Sequence, residues 1–425
     1  MALQRPLRPI SAMKQLFWSF FGLKPIYTKH APDPNLPADE PIEEERLPYY
    51  DPTSFFPAKP GYIFHNRYEA IAKVGWGTCS TVWLARDLQR IWRSERFVTL
   101  KIGTCDFKDK NSALHERNVE QRIANALPDH QGFNYVRTCL DSFEEKGPHG
   151  THLCLVYEPL REPIWLFQQR CHLKGDNIMV NFEDPAVLQD FADAQLSHPM
   201  PYKSTDGRAV YLSHNNFGSL RSFYILPKIT DFGQAQIQQA VGQLNRHPTQ
   251  PDGYRAPEVI LGAGWAYPID IWSLGVLMWN LIENRDLFSR IRGNGDGYSA
   301  AAHLAEMIAL LGPPPKKLLD REKEGRRWNF APALKNPSGT LCTKAYEWYG
   351  GPFFDNDGQC NFLHDHLIPR DLTLESTVNF LDGRDKLLFL DFARKMLQWD
   401  PDDRKTAKQL LEDPWLSEKS IRGEV

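Results

Sequence analysis

The sequence lacks several features that assign proteins to whole classes. Its strongly apolar stretch near the start, "LFWSFFGL" from Leu16, falls far short of the ~20 residues needed to span a bilayer. The seven cysteines are scattered, odd in number and contain no C-x-x-C pair. These absences argue against a transmembrane helix, a cleaved secretory signal and structural zinc, and they favour a reducing compartment.

The sequence also has little net charge. Its 50 basic and 53 acidic residues leave a formal charge of -3, so no overall basic field attracts nucleic acid or an anionic membrane. We therefore expect no direct nucleic-acid partner and no membrane partner. A hydrophobic content of 42% over 425 residues can fill a sizeable core, which predicts a globular protein of one large or two ordinary domains.

The first 60 residues differ in composition from the rest. The first 32 contain five Lys or Arg and no acid, a pattern shared by mitochondrial presequences and, more commonly, by disordered basic tails. Residues 31–60 are rich in proline and carry the acidic run "EEE" at 43–45, which predicts a solvated lead-in. We assign residues 1–60 to a largely disordered N-terminal extension.

The next hundred residues have the pattern of a small sheet with one helix. "YEAIAKVGWGTCSTVWLARD" predicts a hairpin, and "RFVTLKIGT" and "HLCLVYEPL" predict further strands. "SALHERNVEQRIANAL" places Leu114, Val119, Ile123 and Leu127 close to helical spacing. These elements predict a compact β-rich region.

After residue 220 the pattern changes to helices and loops. "DIWSLGVLMWNLI" is hydrophobic nearly all round, which predicts a buried central helix. "HLAEMIALLG" stops at Gly312 before three prolines, and "KLLFLDFARKML" and "TAKQLLEDPWL" predict amphipathic helices at the end. The two halves together predict an α+β protein.

Two segments of the β-rich region suggest phosphate binding. "VGWGTCSTV" (74–82) has two glycines that let backbone amides approach phosphate oxygens, although a glycine pair in a hairpin is most often only a turn. Lys101 lies in the apolar strand "VTLKI", where a lysine normally points to water. The alternative is that Lys101 pairs with nucleotide phosphates and is held by Glu116, with Glu120 as the reserve partner.

Later motifs fit the same chemistry. "ITDFGQA" places Asp231 between an apolar strand end and a glycine, where a carboxylate can ligate phosphate-bound magnesium. "YRAPEVIL" with Glu258 and "DIWSLGV" with Asp270 follow in order. Such an ordered series does not arise by chance.

The chain thus resembles a eukaryotic serine/threonine protein kinase, and more narrowly the fungal branch of the SR-protein kinases in the CMGC group. The motifs that carry this resemblance are "GWGTCSTVWLARD", "VYEPLREPIWLF", "KGDNIMV", "DFGQA", "DGYRAPEVILG", "DIWSLGV" and "LLGPPP", within 49–416. The resemblance implies a bilobal fold with a small β-rich N-lobe at 61–160. It also implies a larger, mainly helical C-lobe at 161–418, with an insertion at about 181–226 and a tail at 419–425.

The resemblance implies a role for each motif residue. ATP would be bound by Val74, Gly75, Gly77, Val82, Lys101 and the hinge residue Glu158. Mg²⁺ would be held by Asn177 and Asp231, and Lys174 would steady the transferred phosphate. Glu258 would pair with Arg404, and Asp270 would support the C-lobe. The family further implies a monomer of the nucleus and cytoplasm that phosphorylates Arg/Ser-rich splicing factors and so regulates mRNA processing.

The sequence departs from the family at the catalytic base. In "RCHLKGDNIMV" (170–180), the position five before Asn177 holds His172 where kinases place an aspartate. Loss of a general base costs typically about 10²–10⁴-fold in rate. Histidine can act as a base near pH 7, so His172 is an alternative base.

The second departure is a shortened segment. Only 14 positions separate Glu158 from His172, where kinases place two helices. We therefore expect an incomplete C-lobe that exposes apolar side chains around 271–281, at roughly 1.5–3 kcal/mol each. Three hypotheses stay open: an active kinase, a catalytically impaired pseudokinase, and the product of an omitted exon or faulty gene model.

Overall fold

The computed structural model describes residues 36–89, 96–105, 107–126, 129–161, 163, 177–205, 207–222, 224–237, 242–293, 297–355 and 361–417. The chain divides into two compact units, Met1–Ile164 with Asp176–Ala235, and Trp165–Gly175 with Gln236–Val425. The first unit is rich in strands and the second is mainly helical, in agreement with the α+β prediction. Residues 177–235, which the sequence assigns to the C-lobe, group with the first unit. The lobe boundaries themselves stay predictions.

The first unit is built on a six-stranded antiparallel sheet in the order β1-β2-β3-β4-β6-β5. Its strands are β1 (Ile63–Phe64), β2 (Tyr68–Gly77), β3 (Ser80–Asp87), β4 (Arg96–Gly103), β5 (Asp141–Lys146) and β6 (Thr151–Tyr157). Two separate two-stranded antiparallel sheets follow: the β7–β10 pair, made of β7 (Ile178–Val180) and β10 (Pro227–Ile229), and the hairpin of β8 (Tyr202–Thr205) with β9 (Arg208–Tyr211). The predicted hairpin and both predicted strands are present as β2–β3, β4 and β6.

Helical elements cover both faces of this sheet. Helix α1 (Phe107–Ala126) packs through Leu114 against Leu155 and Tyr157 of β6. On the other face, helix α2 (Ala186–Ser197) and the β8–β9 hairpin bury apolar side chains in the main core of the unit. These side chains are Leu188, Phe191, Ala192, Met200, Tyr202 and Tyr211. The insertion is therefore a structural layer of the first unit.

A bulge in β2 decides which residues face each layer. Lys73 pairs with Trp83 and Gly75 with Val82, so Val74 is an extra residue in the ladder. Because residues paired across strands share a face, the bulge sends Lys73 and Gly75 to opposite faces although they are two positions apart. Trp83 belongs to the core beneath the insertion, which places Lys73 on that side.

Residues 43–45 of the lead-in make buried ion pairs, contrary to the expectation of a solvated segment. The amine of Lys73, with 2% of its side chain exposed, lies 2.7 Å from Glu43 and 2.6 Å from Glu44, and donates to Tyr211 O at 2.9 Å. Lys203 binds Glu45 at 2.8 Å in the same way. The acidic run folds because two buried lysines need counter-charges. Residues 1–35 lie outside the described residues.

The second unit consists mainly of helices around one large core. They are α3 (Pro257–Ile260), α4 (Pro268–Glu283), α5 (Ala300–Leu311), α6 (Lys316–Gly325), α7 (Ala345–Tyr349), α8 (Gly383–Arg394) and α9 (Ala407–Leu410), with strands β11 (Leu334–Lys335) and β12 (Leu341–Cys342). Helix α5 ends, as predicted, at Gly312, whose φ of 79° suits a residue without Cβ. Within the described part of the chain, no helix combines the length and the apolarity needed to cross a membrane.

Two helix predictions differ from the structure. "TAKQLLEDPWL" forms only the short α9 and then a separate turn at Pro414–Leu416, because Asp413 caps the turn and Pro414 cannot continue a helix. Helix α4 buries Trp272, Val276 and Trp279, but it is not buried all round. Leu274 on its other face is 38% exposed.

Among the described residues of the second unit, a fully buried ion pair joins the predicted partners Glu258 and Arg404. Two hydrogen bonds of 2.6 and 2.7 Å link them, and both side chains have 0% exposure. Arg404 also donates to Pro268 O at 3.0 Å and to Gln398 O at 3.0 Å. The pair thereby fixes α3 and the start of α4 to the segment before α9.

The Lys73 contacts generate a stability prediction for the first unit. Lys73→Met leaves Glu43 and Glu44 without their cation, and we expect the free energy of unfolding to fall by about 3–5 kcal/mol. Urea unfolding, followed by hydrogen exchange of peptides covering β2 and β9, measures this loss. The control is Arg221→Gln, which removes an exposed ion pair with Asp190 and is expected to cost below about 1 kcal/mol. Equal effects of the two variants would contradict the assigned role of Lys73.

The Glu258–Arg404 pair generates a matching prediction for the second unit. Arg404→Met strands a fully buried carboxylate and is expected to cost about 3–5 kcal/mol, whereas the double variant Glu258→Leu/Arg404→Met recovers most of that loss. Thermal unfolding of the full chain reads out both. A double variant no more stable than Arg404→Met would show that shape, and not the unpaired charge, sets the cost.

Candidate functional site

The candidate site lies on the face of the first-unit sheet that carries α1. Gly75, Val82, Lys101 and Leu155 are successive cross-strand partners of β2, β3, β4 and β6, so they form one row on this face. Val74 is the bulged residue beside the row and is half-buried. The register thus brings the predicted glycine segment and the predicted lysine to one surface.

The tip of the β2–β3 hairpin needs a small residue. Gly77 pairs with Ser80, and a Cβ at Gly77 would lie 3.3 Å from Ser80 Oγ, closer than side chains usually approach. Thr104 N–H donates to Cys79 O at 2.9 Å, which anchors the tip. The glycines therefore leave backbone open along this face.

Lys101 lies on the face of the sheet that carries α1 and is held by that helix. Its amine donates to both carboxylate oxygens of Glu116 at 2.7 Å, and the two side chains are 22% and 5% exposed. Of the two glutamates that the sequence offers, the structure pairs Lys101 with Glu116. The partly exposed amine keeps hydrogen-bonding capacity toward solvent.

Asp231 lies beside this pair. Its Oδ1 is 3.5 Å from the amine of Lys101, and its side chain is 52% exposed. The backbone at Asp231 is left-handed, with φ of 63°, a conformation that aspartate tolerates better than most residues and that clusters at functional sites. Asp231 thus adopts a left-handed backbone conformation at the position where its carboxylate lies near the amine of Lys101.

Asn177 immediately precedes β7, at the end of the β7–β10 pair that lies nearest Asp231. Ile178 pairs with Ile229, and Thr230 N–H donates to Asn177 O at 2.9 Å, so Asn177 sits opposite the residue preceding Asp231. Its side chain is exposed. Asn177 and Asp231 are 54 positions apart in the sequence, but the pairing of β7 with β10 brings them together.

Two further contacts tie α1 to the segment after Asp231. The ring Nε2 of His115 lies 2.6 Å from Ala235 O. A Cβ built on Gly233 would lie 3.5 Å from Asp231 Oδ1 and 3.6 Å from Glu116 Oε2, so the backbone of Gly233 passes close to both carboxylates. The position of α1 and the position of Asp231 are therefore coupled.

Glu158 follows directly after β6. Its carboxylate accepts a 2.5 Å hydrogen bond from Lys228 of β10. The side chain of Glu158 is therefore held by β10, the strand that leads to Asp231. A contact of Glu158 with a purine base would have to use its backbone.

The remaining predicted residues fall into two groups. Lys174 and His172 lie outside the described residues, as does the rest of the predicted catalytic loop before Asn177. Asp270 belongs to the second unit, at the first turn of α4, and is exposed. Among the described residues no side chain donates a hydrogen bond to its carboxylate.

Sequence reasoning missed Tyr157 and Arg137. The hydroxyl of Tyr157 lies 3.3 Å from Glu116 Oε1 and 3.2 Å from Glu120 Oε1, and the guanidinium of Arg137 stacks 4.3 Å from the Tyr157 ring. Burial and the neighbouring Glu116 raise the pKa of Glu120 to about 7. The only signal in the sequence was the i, i+4 spacing of the two glutamates, which does not reveal a shared tyrosine.

The donor set of this surface suits a magnesium-bound phosphate. Mg²⁺ prefers oxygen ligands. Asp231 provides an exposed carboxylate and Asn177 an exposed amide at one end of the β7–β10 pair. A lysine amine held by a buried carboxylate can neutralise phosphate oxygens. The residues therefore fit MgATP.

Comparisons with known proteins agree with this chemistry. A family model described as "Protein kinase domain" matches residues 169–416, more than half of the chain. A solved kinase domain matches with a TM-score of 0.55 and 22% identity, covering 86% of this chain and 100% of that one, and supports the fold alone.

Curated relatives cover most of the chain as well. A serine/threonine protein kinase of Aspergillus fumigatus is 33% identical over 399 residues, which span 88% of this chain and 91% of that protein. The serine/threonine-protein kinase SRPK of Physarum polycephalum is 27% identical, over 88% of this chain and 92% of that protein. A dual specificity tyrosine-phosphorylation-regulated kinase of Rattus norvegicus is 25% identical over 84% of this chain. The family match and the Aspergillus relative together show that the chain belongs to the protein kinase family.

Proposed function

We propose that this protein is a serine/threonine kinase that transfers the γ-phosphate of ATP to serine in Arg/Ser-rich proteins. The observation that carries the proposal is the cluster of Lys101, Glu116 and Asp231, in which each neighbour lies within 3.5 Å of the lysine amine. The amine of Lys101 lies between two carboxylates and stays partly exposed, so it can meet the phosphate oxygens of a nucleotide.

Each residue of the cluster has a definite task in this proposal. Lys101 neutralises phosphate oxygens, Glu116 fixes the lysine rotamer, and the backbone at Gly75 and Gly77 lies over the phosphates. Asn177 and Asp231 would hold Mg²⁺, which would supply positive charge to neutralise the phosphates. Val74 and Val82 offer apolar contact to the base, and the backbone of Glu158 contacts its edge.

The second candidate is a protein that binds nucleotide or protein partners without efficient turnover. Three observations favour it: His172 occupies the aspartate position, only 14 positions separate it from Glu158, and the family match begins at residue 169, next to that junction. The exposure of Leu274 on α4 is what loss of a packing helix would leave. Transcripts that carry additional codons at this junction would assign the shortened segment to a gene-model error.

The substrate class and the location rest on the resemblance. The relative from Physarum polycephalum bears the name SRPK at 27% identity, which supports Arg/Ser-rich splicing factors as substrates and mRNA processing as the process. We place the protein in the nucleus and cytoplasm, with the mitochondrion as the alternative that the basic N-terminus offers. Microscopy of a C-terminal fluorescent fusion tests this placement.

The first test is phosphate transfer from MgATP to an Arg/Ser-repeat peptide by the full chain. Lys101→Met is expected to lower the rate by on the order of 10²-fold or more, because the lysine charge acts on the phosphates. The matched control is Lys146→Met, which removes an exposed lysine of β5 in the same unit.

The outcomes separate the candidates. Transfer that depends on Lys101 supports the kinase. MgATP binding without transfer, from a cooperatively unfolding chain, supports the second candidate. Absence of MgATP binding from such a chain contradicts the kinase and leaves the second candidate only as a binder of protein partners.

Asp231 gives a separate metal prediction. Asp231→Asn removes the negative charge that holds the cation, so the Mg²⁺ concentration needed for half-maximal ATP binding is expected to rise at least about 10-fold. Calorimetric titration of ATP at several Mg²⁺ concentrations measures this change. Asp190→Asn, at an exposed carboxylate of α2, serves as the control. An unchanged Mg²⁺ requirement would remove Asp231 from the metal site.

A further inference from the structure

The inference concerns the buried polar cluster behind Lys101. Tyr157 is 1% exposed, and its hydroxyl lies 3.3 Å from Glu116 Oε1, the same oxygen that accepts from Lys101 at 2.7 Å. The hydroxyl also lies 3.2 Å from Glu120 Oε1. One phenol therefore touches both glutamates of α1.

The number of protons in this cluster limits which of its hydrogen bonds can form at the same time. A tyrosine hydroxyl has one proton and can donate to only one carboxylate at a time. If Tyr157 donates to Glu116, the contact with Glu120 is a hydrogen bond only when Glu120 carries a proton and donates to the phenol oxygen. A charged Glu120 would instead compete with Glu116 for the tyrosine proton.

The burial of Glu120 agrees with a neutral carboxyl. Glu120 is 1% exposed, and among the described residues its Oε2 has no hydrogen-bond partner. A buried carboxylate with a free oxygen is far costlier than a buried neutral acid. Burial and Glu116 raise the pKa of Glu120 to about 7, so the group changes charge near neutral pH.

The charged and titratable groups facing Glu120 come from every element around it. They are Glu116 on α1, Tyr157 on β6, Lys101 on β4, and Arg137 and Cys139 on the segment before β5. Glu116 opposes ionisation of Glu120, whereas Arg137, Tyr157 and Lys101 favour it. Arg137 N–H also donates to Ile229 O at 3.0 Å, so the cluster touches the last residue of β10, two residues before Asp231.

We propose that Tyr157 is a positioning residue for the kinase reaction: its hydroxyl holds Glu116 against Lys101, and it does so when Glu120 is protonated. Deprotonation of Glu120 draws the phenol proton away from Glu116 and loosens the lysine. This inference rests on the proposed function for its catalytic meaning. The hydrogen-bond relay from Glu120 through Tyr157 to Glu116 exists independently of any nucleotide.

The chain provides a closely matched control tyrosine. Tyr68 is also 1% exposed, its hydroxyl donates to Asp141 at 3.0 Å, and Arg67 stacks on its ring at 4.7 Å. Tyr68→Phe therefore removes a hydrogen bond from a buried phenol to a carboxylate beneath a stacked arginine, as Tyr157→Phe does; the Asp141 side chain is 42% exposed and that of Glu116 is 5% exposed. Tyr68 is far along β2 from the glycines and makes no described contact with Lys101.

The first experiment needs no nucleotide. An amine-acylating reagent is applied to the full chain, and the labelling rate of Lys101 is measured by mass spectrometry relative to the exposed Lys59. We expect Tyr157→Phe to raise the relative rate about 5-fold or more at pH 6, and Tyr68→Phe to leave it within twofold of the original chain. Equal rates in the two phenylalanine variants would reduce Tyr157 to a packing role and overturn the proposal.

A pH series tests whether the proton on Glu120 controls how firmly Lys101 is held. In the original chain, relative labelling of Lys101 should rise as pH increases from 6 to 8.5 through the pKa of Glu120. Glu120→Gln places an amide N–H where the acid proton was and should remove this pH dependence. A pH dependence that persists in Glu120→Gln would overturn the assigned role of Glu120.

MgATP binding then separates this inference from the proposed function. If the original chain binds MgATP, Tyr157→Phe should weaken binding about 5-fold or more while Tyr68→Phe does not. If the original chain fails to bind MgATP, the proposed function falls, and the labelling result alone decides on the relay.

Discussion

The bulge at Val74 is the constraint on which the first unit depends. Without it, Lys73 and Gly75 would point to the same face of the sheet, since side chains alternate along a strand. With it, Gly75 joins the row that leads to Lys101, and Lys73 faces the core beneath the insertion. One extra residue separates the surface that suits phosphate from the surface that holds the unit together.

Much of this arrangement followed from local sequence, and some of it could not. The β2–β3 hairpin, the placement of Lys101 in a strand and the choice of Glu116 depended on alternation and on helical spacing, which neighbouring residues reveal. The pairing of Glu43 and Glu44 with Lys73 joins positions about 30 residues apart, and a run of acids by itself is typical of a solvated segment. The burial of the insertion was missed for the same reason, because its partners lie more than 100 residues earlier.

The second unit shows the limits of hydrophobic patterning. The nearly all-apolar pattern of α4 predicts a buried central helix, and Trp272 and Trp279 are fully buried, whereas Leu274 is 38% exposed, as the shortened segment led us to expect around 271–281. Glu258 and Arg404 nevertheless form the buried pair that their motifs predict, since both partners are retained.

The covered outer face of the sheet also bears on how the chain leaves the ribosome. Lys73 donates to Tyr211 O across 138 positions, and the core of the first unit includes side chains from both 56–156 and 188–211. Contacts so distant in sequence form late, because the intervening loop must close before they stabilise anything. The β2–β4 strands are thus synthesised long before their cover, and the first unit can close only after residue 211 has emerged. During that interval the nascent sheet presents an apolar face of the kind that chaperones bind.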